Sequence, residues 1–171
     1  IRDTETAQIA VRASITGHLV LSTLHTNNSL TTIERLLDME VERYLLASAL
    51  SGIVSQKLAR KLCDKCKKIR ETTAYEKQLF KNYLGLDVPQ IYEAVGCPEC
   101  SAGYKGRIAL QEVLLISPTI RDAISAKVAK AELRDLVYGS DVITLLQDGL
   151  YKVIAGLTSP DEVIKLVESD D

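Results

Sequence analysis

The stretch ITGHLVLSTLHTNNS, residues 15–29, decides how the chain is read. Leu19, Val20, Leu21 and Leu24 form a nearly continuous apolar run interrupted only by the small hydroxyl residues Ser22 and Thr23. Such a run predicts a short strand buried on both faces, the kind found in parallel sheets covered by helices. Upstream, Asp3 can cap a helix over about 4–14, whose small apolar face carries Ala7, Ala10, Val11 and Ser14, with Gly17 as its stop. Downstream, the polar cluster His25-Thr26-Asn27-Asn28 leads into a helix over about 29–37 with Leu30, Ile33, Leu36 and Leu37 on one side. Helix, strand, polar loop and helix in that order make a piece of an α/β wound sheet.

Working outward, residues 42–51 favour a helix broken by Gly52, and IVSQKLARKL (53–62) switches to period two. One side of that strand carries Val54, Gln56, Leu58, Arg60 and Leu62; the other carries Ser55, Lys57, Ala59 and Lys61. A helix follows in AYEKQLFKNYLG, closed by Gly85, then a short extended piece near 91–95. The turn Gly103-Tyr104-Lys105-Gly106-Arg107 leads into the strand IALQEVLLI (108–116). The remainder is helical. Ser117-Pro118 supplies a cap and a proline at the first helical position, Gly139-Ser140-Asp141 separates two apolar-periodic runs, and Ser159-Pro160-Asp161-Glu162 reads as a capping box opening the last helix.

The 171 residues are 46% hydrophobic and 26% charged, enough to bury a core, which excludes disorder, collagen and small disulfide scaffolds. With 21 basic and 23 acidic residues the formal charge is -2, so no whole-chain field marks a nucleic-acid or membrane-surface binder. No apolar stretch approaches the roughly 20 residues of a spanning helix. Charge is uneven, however: positions 57, 60, 61, 65, 67, 68 and 70 are basic against the single acid Asp64. The start at Ile1, followed by Arg2-Asp3 with no basic-then-apolar leader, reads as an interior point of a longer protein.

Four cysteines stand as Cys63-x-x-Cys66 and Cys97-x-x-Cys100. Two such knuckles have the geometry of a closed, structural zinc site, since each tight turn aims two sulfurs at one ion and four thiolates leave no open position for chemistry. Two disulfides, a redox pair, an iron centre or unconnected buried thiols are the alternatives. A four-thiolate zinc carries a charge near -2, which the neighbouring lysines would partly offset; those lysines otherwise make a solvated strand face or an acidic-lipid contact. His25 directly follows the expected strand, and in open α/β sheets ligands collect at the carboxyl ends of strands, so the donor-rich 25–28 cluster could meet phosphates or an activated water. Helix capping by Asn27 or Asn28 explains part of it equally well. His18, at the other end of the run, has a structural reading, and Asp3 and Glu5 suit a helix N-terminus. The chain holds no G-x-x-x-x-G-K-[ST] phosphate loop.

The run IRDTETAQIAVRASITGHLVLSTLHTNNS resembles the end of the Walker B segment and the histidine box of the type II secretion and type IV pilus assembly ATPases. The tetracysteine insertion, CPECSAGYKGRIALQEVL and LLQDGLYKVIAGLTSPDEV match that family's order and spacing, so the resemblance covers essentially the whole chain. It implies the C-terminal part of a RecA-like P-loop ATPase domain with a four-cysteine zinc subdomain and a C-terminal helical subdomain. It also implies a hexameric cytoplasmic motor, using ATP and Mg²⁺, that acts with an inner-membrane platform and cytoplasmic recruitment proteins. Thr16-Gly17-His18 and Leu24-His25-Thr26 match the two ends of the histidine box, which makes His25 the γ-phosphate or water sensor and sets Thr26 in the phosphate region. Arg2, Asp3 and Glu5 match the stretch just after the Walker B glutamate, which would immediately precede Ile1; Arg2 is carried over as a catalytic candidate. Lys57 stands where the family pattern has arginine and Ala109 where glycine is common. Lysine keeps the charge and loses the bidentate fork. The tetracysteine insertion favours the secretion or assembly branch over pilus retraction.

The expected organisation is therefore 1–62 as the end of the ATPase domain, 63–106 as the metal subdomain and 107–171 as the C-terminal strand and helices. Such a piece is expected to be inactive in ATP hydrolysis by itself. The rival reading is a non-enzymatic zinc ribbon that binds nucleic acid through the 57–70 stripe. Net negative charge, no Trp and a single Phe at position 80 argue against it.

Overall fold

A computed structural model describes residues 1–139 and 141–168. The elements in chain order are α1 (Thr4–Ile15), α2 (Ser29–Asp38), α3 (Arg43–Ala49), β1 (Gly52–Leu62), β2 (Lys68–Glu71), α4 (Ala74–Leu84), β3 (Gln90–Glu93), β4 (Tyr104–Leu115), α5 (Pro118–Ala126), α6 (Lys130–Tyr138), α7 (Leu145–Ile154) and α8 (Pro160–Glu168). Of the expected Gly139-Ser140-Asp141 break, Ser140 lies outside the described residues.

The chain packs as two compact units: Ile1–Ser55 with Glu112–Val142, and Gln56–Gln111 with the residues from Ile143 onward. This grouping cuts across the three segments read from the sequence, since residues 107–171 contribute to both units. In the first unit α1 buries Ala7 and Val11, α2 buries Leu30, Ile33 and Leu36, and α3 buries Leu46 and Ala47, around Leu114, Ile116, Ile120, Ile124, Leu133 and Val137. Asp3 caps α1, accepting from the Thr6 N–H at 2.8 Å, and Asn28 caps α2, accepting from Thr31 N–H at 2.9 Å. In the second unit Phe80 of α4, Ile91 of β3, Leu110 of β4, Leu150 and Val153 of α7 and Val163 of α8 form the core with Ala59. Gly149 is a close-approach glycine, because a Cβ there would run into the Val163 side chain.

β1 pairs with β4, and β2 pairs antiparallel with β3 in the register Lys68 to Glu93 through Glu71 to Gln90. The alternation read in β1 is present, with Ile53, Ser55 and Ala59 on the buried side. On the other side Val54 and Leu58 are 63% and 52% exposed, but Leu62, read on that same side, is buried at the end of the strand. The capping box expected at α8 is half formed. Ser159 Oγ accepts the Glu162 N–H at 3.4 Å, but the Glu162 carboxylate is taken by Arg60, from its main-chain N–H at 3.3 Å and its guanidinium at 2.5 Å.

One sequence expectation fails. The run 18–25 is extended but pairs with no strand among the described residues, and it is not buried: Leu19 is 88% and Leu21 86% exposed. A parallel strand exists only through the ladders on its two sides, and apolar content alone supplies none. The Ile1 amine donates to Thr23 O at 2.8 Å, which brings residue 1 beside the run.

The Arg70–Glu76 pair gives the second unit an acid-sensitive link. Both guanidinium nitrogens Nη1 and Nη2 donate to the Glu76 carboxylate, at 2.8 and 2.6 Å, while Glu76 completes a capping box with Thr73 at the start of α4. The Arg70 hydrogen bonds outweigh burial and hold the Glu76 carboxyl down at about 2. A folded-state value below the unfolded one stabilises at neutral pH and is lost as pH falls from about 4.5 toward 2. Glu76→Gln is therefore expected to lower Tm at pH 7 and to flatten the loss of Tm between about pH 4.5 and 2, read by thermal denaturation across pH.

Candidate functional site

Two groups of side chains offer chemistry. The first lies at the carboxyl end of the 18–25 run. Arg2 Nη2 approaches His25 Nε2 at 3.4 Å, both side chains being exposed. Arginine has no acceptor, so in a hydrogen bond between the two Nε2 is the acceptor. The next residues form a tight turn into α2. Thr32 Oγ1 donates to Asn28 O at 3.0 Å, so across the 2.7 Å contact between Thr26 Oγ1 and Thr32 Oγ1 it is Thr26 that donates. The hydroxyl proton of Thr26 is thus spent inside the turn, and a phosphate would meet that oxygen only if the contact switched. Of the two asparagines, Asn28 is the helix cap. Asp3 is tied to Thr6 by its backbone and hydroxyl hydrogen bonds, which hold its carboxyl below the usual range. His18 Nδ1 lies 3.2 Å from Thr16 Oγ1 and 3.3 Å from Ala13 O, at the C-terminal end of α1.

The sequence patterning does not single out Glu112, which is 2% exposed and accepts the Ser29 N–H at the start of α2 at 2.9 Å. The signal available was its phase: Leu110 and Leu114, two residues to either side, are the buried positions of β4. A carboxylate in register with them lies on the buried side of β4.

The second group is the tetracysteine cluster. β1 ends at Leu62 and β4 begins at Tyr104, so Cys63 leaves one strand as Cys97 and Cys100 approach the other, and the Cys63 N–H donates to Gly103 O at 2.8 Å. Gly103 has φ +88°, and a Cβ on it would stand 2.6 Å from Ala94 Cβ, so only glycine serves at this turn. All four sulfurs fall within 4.8 Å of one another. The Cys63–Cys97, Cys66–Cys100 and Cys97–Cys100 Sγ separations are 4.0, 3.7 and 3.6 Å. Four sulfurs at ~2.3 Å from one tetrahedral ion stand about 3.8 Å apart, whereas a disulfide needs about 2.05 Å. The spacing is that of a metal cage, and the four cysteines could hold one ion. Burial pushes the Cys66 thiol up to about 11. Cys100 goes the other way: burial opposes it, but the Cys97 N–H donating to its sulfur brings it to about 7.

Acids both near and distant in sequence offset much of the basic stripe. Arg60 pairs with Glu162, Lys65 with Glu99, Arg70 with Glu76 and Glu93, and Lys61 and Lys67 share Asp64. Lys57 donates to Leu166 O at 2.7 Å, a contact a single ammonium makes as well as a guanidinium, and burial lowers its pKa. Arg60 also lies over the Tyr104 ring and Lys67 over the Tyr92 ring. Most of these cations therefore hold the second unit together.

Comparison with known proteins fixes the context. The family model described as type II/IV secretion system protein matches residues 1–165. The chain belongs to that family. Among relatives of the secretion family, the putative type II secretion system protein E of Escherichia coli (strain K12) is 48% identical over 170 residues, covering 99% of this chain and 34% of that protein. The type IV pilus assembly ATPase PilB of Thermus thermophilus is 39% identical over 166 residues, 96% of this chain and 19% of the relative. Of solved structures, the pilus retraction motor PilT with bound ADP aligns at TM-score 0.64 and 25% identity, over 97% of this chain and 37% of that one. The Legionella pneumophila ATPase DotB, at TM-score 0.63 and 21% identity, shares the α/β fold. The chain thus spans about a third of the length of the type II secretion relative it matches. No helix among the described residues is long and apolar enough to cross a membrane.

The cage makes a direct prediction. Cobalt(II) added to the reduced protein should give the intense thiolate charge-transfer and tetrahedral d–d absorption of a four-sulfur site, growing as pH rises because the ion displaces protons. Cys66→Ser should weaken both bands.

Proposed function

We propose that this chain is the C-terminal part of a secretion or pilus-assembly motor ATPase, comprising the end of a RecA-like nucleotide domain (1–62), a zinc-stapled subdomain (63–106) and a C-terminal strand and helices (107–171). The observation that carries the reading is the meeting of Arg2 and His25 at the carboxyl end of the 18–25 run, in a chain 48% identical over nearly its whole length to a type II secretion system protein E.

In this reading parts of a longer polypeptide would supply the phosphate loop that holds ATP with Mg²⁺, a cation that would offset phosphate charge. His25 reports the γ-phosphate or orients the attacking water. Arg2, which meets the His25 imidazole nitrogen at 3.4 Å, can turn its fork to an incoming phosphate, since a charged oxygen is the stronger acceptor. Thr26 lines the phosphate region after exchanging its bond with Thr32. The cysteine cage takes Zn²⁺ in a structural role: four thiolates fill its shell and leave no position for a reacting water.

The assembled protein works as a cytoplasmic homo-hexamer, held at the inner membrane by a platform and by recruitment proteins. Taken alone, the 171 residues are inactive in hydrolysis. The nucleic-acid module is the weaker reading because the stripe it requires is largely occupied by Glu76, Glu93, Glu99, Glu162 and Asp64. The same pairing weakens an acidic-lipid contact through that stripe.

The experiment is His25→Ala in the full-length protein. Steady-state ATP hydrolysis should show kcat reduced at least about tenfold with Tm unchanged, the pattern of an interaction made mainly in the transition state. Unchanged kcat would return His25 to a structural role.

A further inference from the structure

Glu112 is spent in a way that packing does not explain. Its carboxylate sits on the inner face of β4, 2% exposed, between Leu110 and Leu114 at 0% and 1%. Removing a carboxylate from water is costly, and an apolar side chain of similar volume would serve a core position better. What the carboxylate gains is the Ser29 N–H at 2.9 Å and the favourable end of the α2 dipole. Ser29 contributes nothing else polar, since its own Oγ is buried without a hydrogen-bond partner. Close by, burial, together with the charges of Glu112 and Glu34, pushes the Tyr138 hydroxyl up to about 12, so Tyr138 stays neutral beside the carboxylate.

The bond matters because of what Ser29 is attached to. Thr26, Asn28, Thr31 and Thr32 bond to one another and so shape the turn, while Leu30 and Ile33 seat the first turns of α2 in the core. Glu112 ties the turn to a strand 83 residues away. We propose that Glu112 is a positioning residue for His25: it fixes the first residue of α2 against β4, and through the Asn28 turn sets where the imidazole stands. This rests on the reading of His25 as the nucleotide-facing group. Losing the bond would let the turn shift, and a displacement of about 1 Å at a catalytic group is enough to cost of the order of 100-fold in rate.

The test is a double-mutant cycle in the full-length protein, measuring kcat and KM for ATP together with Tm. Glu112→Ala should lower kcat about tenfold or more with KM within about threefold, and Glu112→Gln, whose amide oxygen still accepts from Ser29, should recover most of it. In a His25→Ala background Glu112→Ala should cost less than about twofold further, since it acts through a group already removed. Should Glu112→Ala fail to fold, Ser29→Pro deletes the same N–H at a first helical position that tolerates proline and should reproduce the kcat loss. A Glu112 effect that multiplies in full on the His25→Ala background, or no effect at all, overturns the positioning role while leaving His25 in place. Unchanged kcat in His25→Ala overturns both.

Discussion

Strands β1 and β4 are held together at both ends by main-chain bonds: Cys63 N–H to Gly103 O at one, Ile116 N–H to Ser51 O at the other. As one strand's numbering rises the other's falls, so the pair runs antiparallel. The first knuckle continues β1, the second leads into β4, and the inner face of β4 carries the carboxylate that pins the helix after His25. Separate the strands and the four sulfurs no longer converge, because each knuckle by itself brings only two of them together.

The electrostatics of the second unit are those of a folded interior with a wet rim. Glu162 could have closed a local capping box but is drawn to Arg60, and Glu76 does both, capping α4 with Thr73 and pairing with Arg70. Charged hydrogen bonds are stronger than neutral ones, so where a guanidinium comes within reach a carboxylate leaves or shares its cap. Lys67 illustrates the economy of the arrangement: one ammonium serves Asp64, Gly156 O and the face of Tyr92. A stripe that looks cationic in one dimension is close to neutral in three.

Helix limits and strand periods were legible because they are written in local chemistry. Asp3, Asn28, Thr73 and Ser117 each cap a helix, Gly85 closes α4 with φ +69°, and β1 alternates with period two. The cage was legible for the same reason, since a Cys-x-x-Cys turn is a local geometry and two of them suffice to suggest one centre. The 18–25 run misled: its apolar density states a wish for burial, and whether that is granted depends on ladders from elsewhere. Glu112 stayed hidden because an acid in a strand reads as solvent-facing until its phase is compared with Leu110 and Leu114.

By itself, then, the sequence determined most helix limits, the period of β1 and the pairing of cysteines within each knuckle, all set by neighbours a few residues apart. Only the tertiary structure decided which acids neutralise the basic stripe, that Arg2 stands against the His25 lone pair, that the sulfurs meet at the spacing of one ion, and that Glu112 holds α2. Those facts join residues that lie apart along the chain, in several cases by dozens of positions. Such pairings follow from which surfaces pack together, and local pattern carries no record of that.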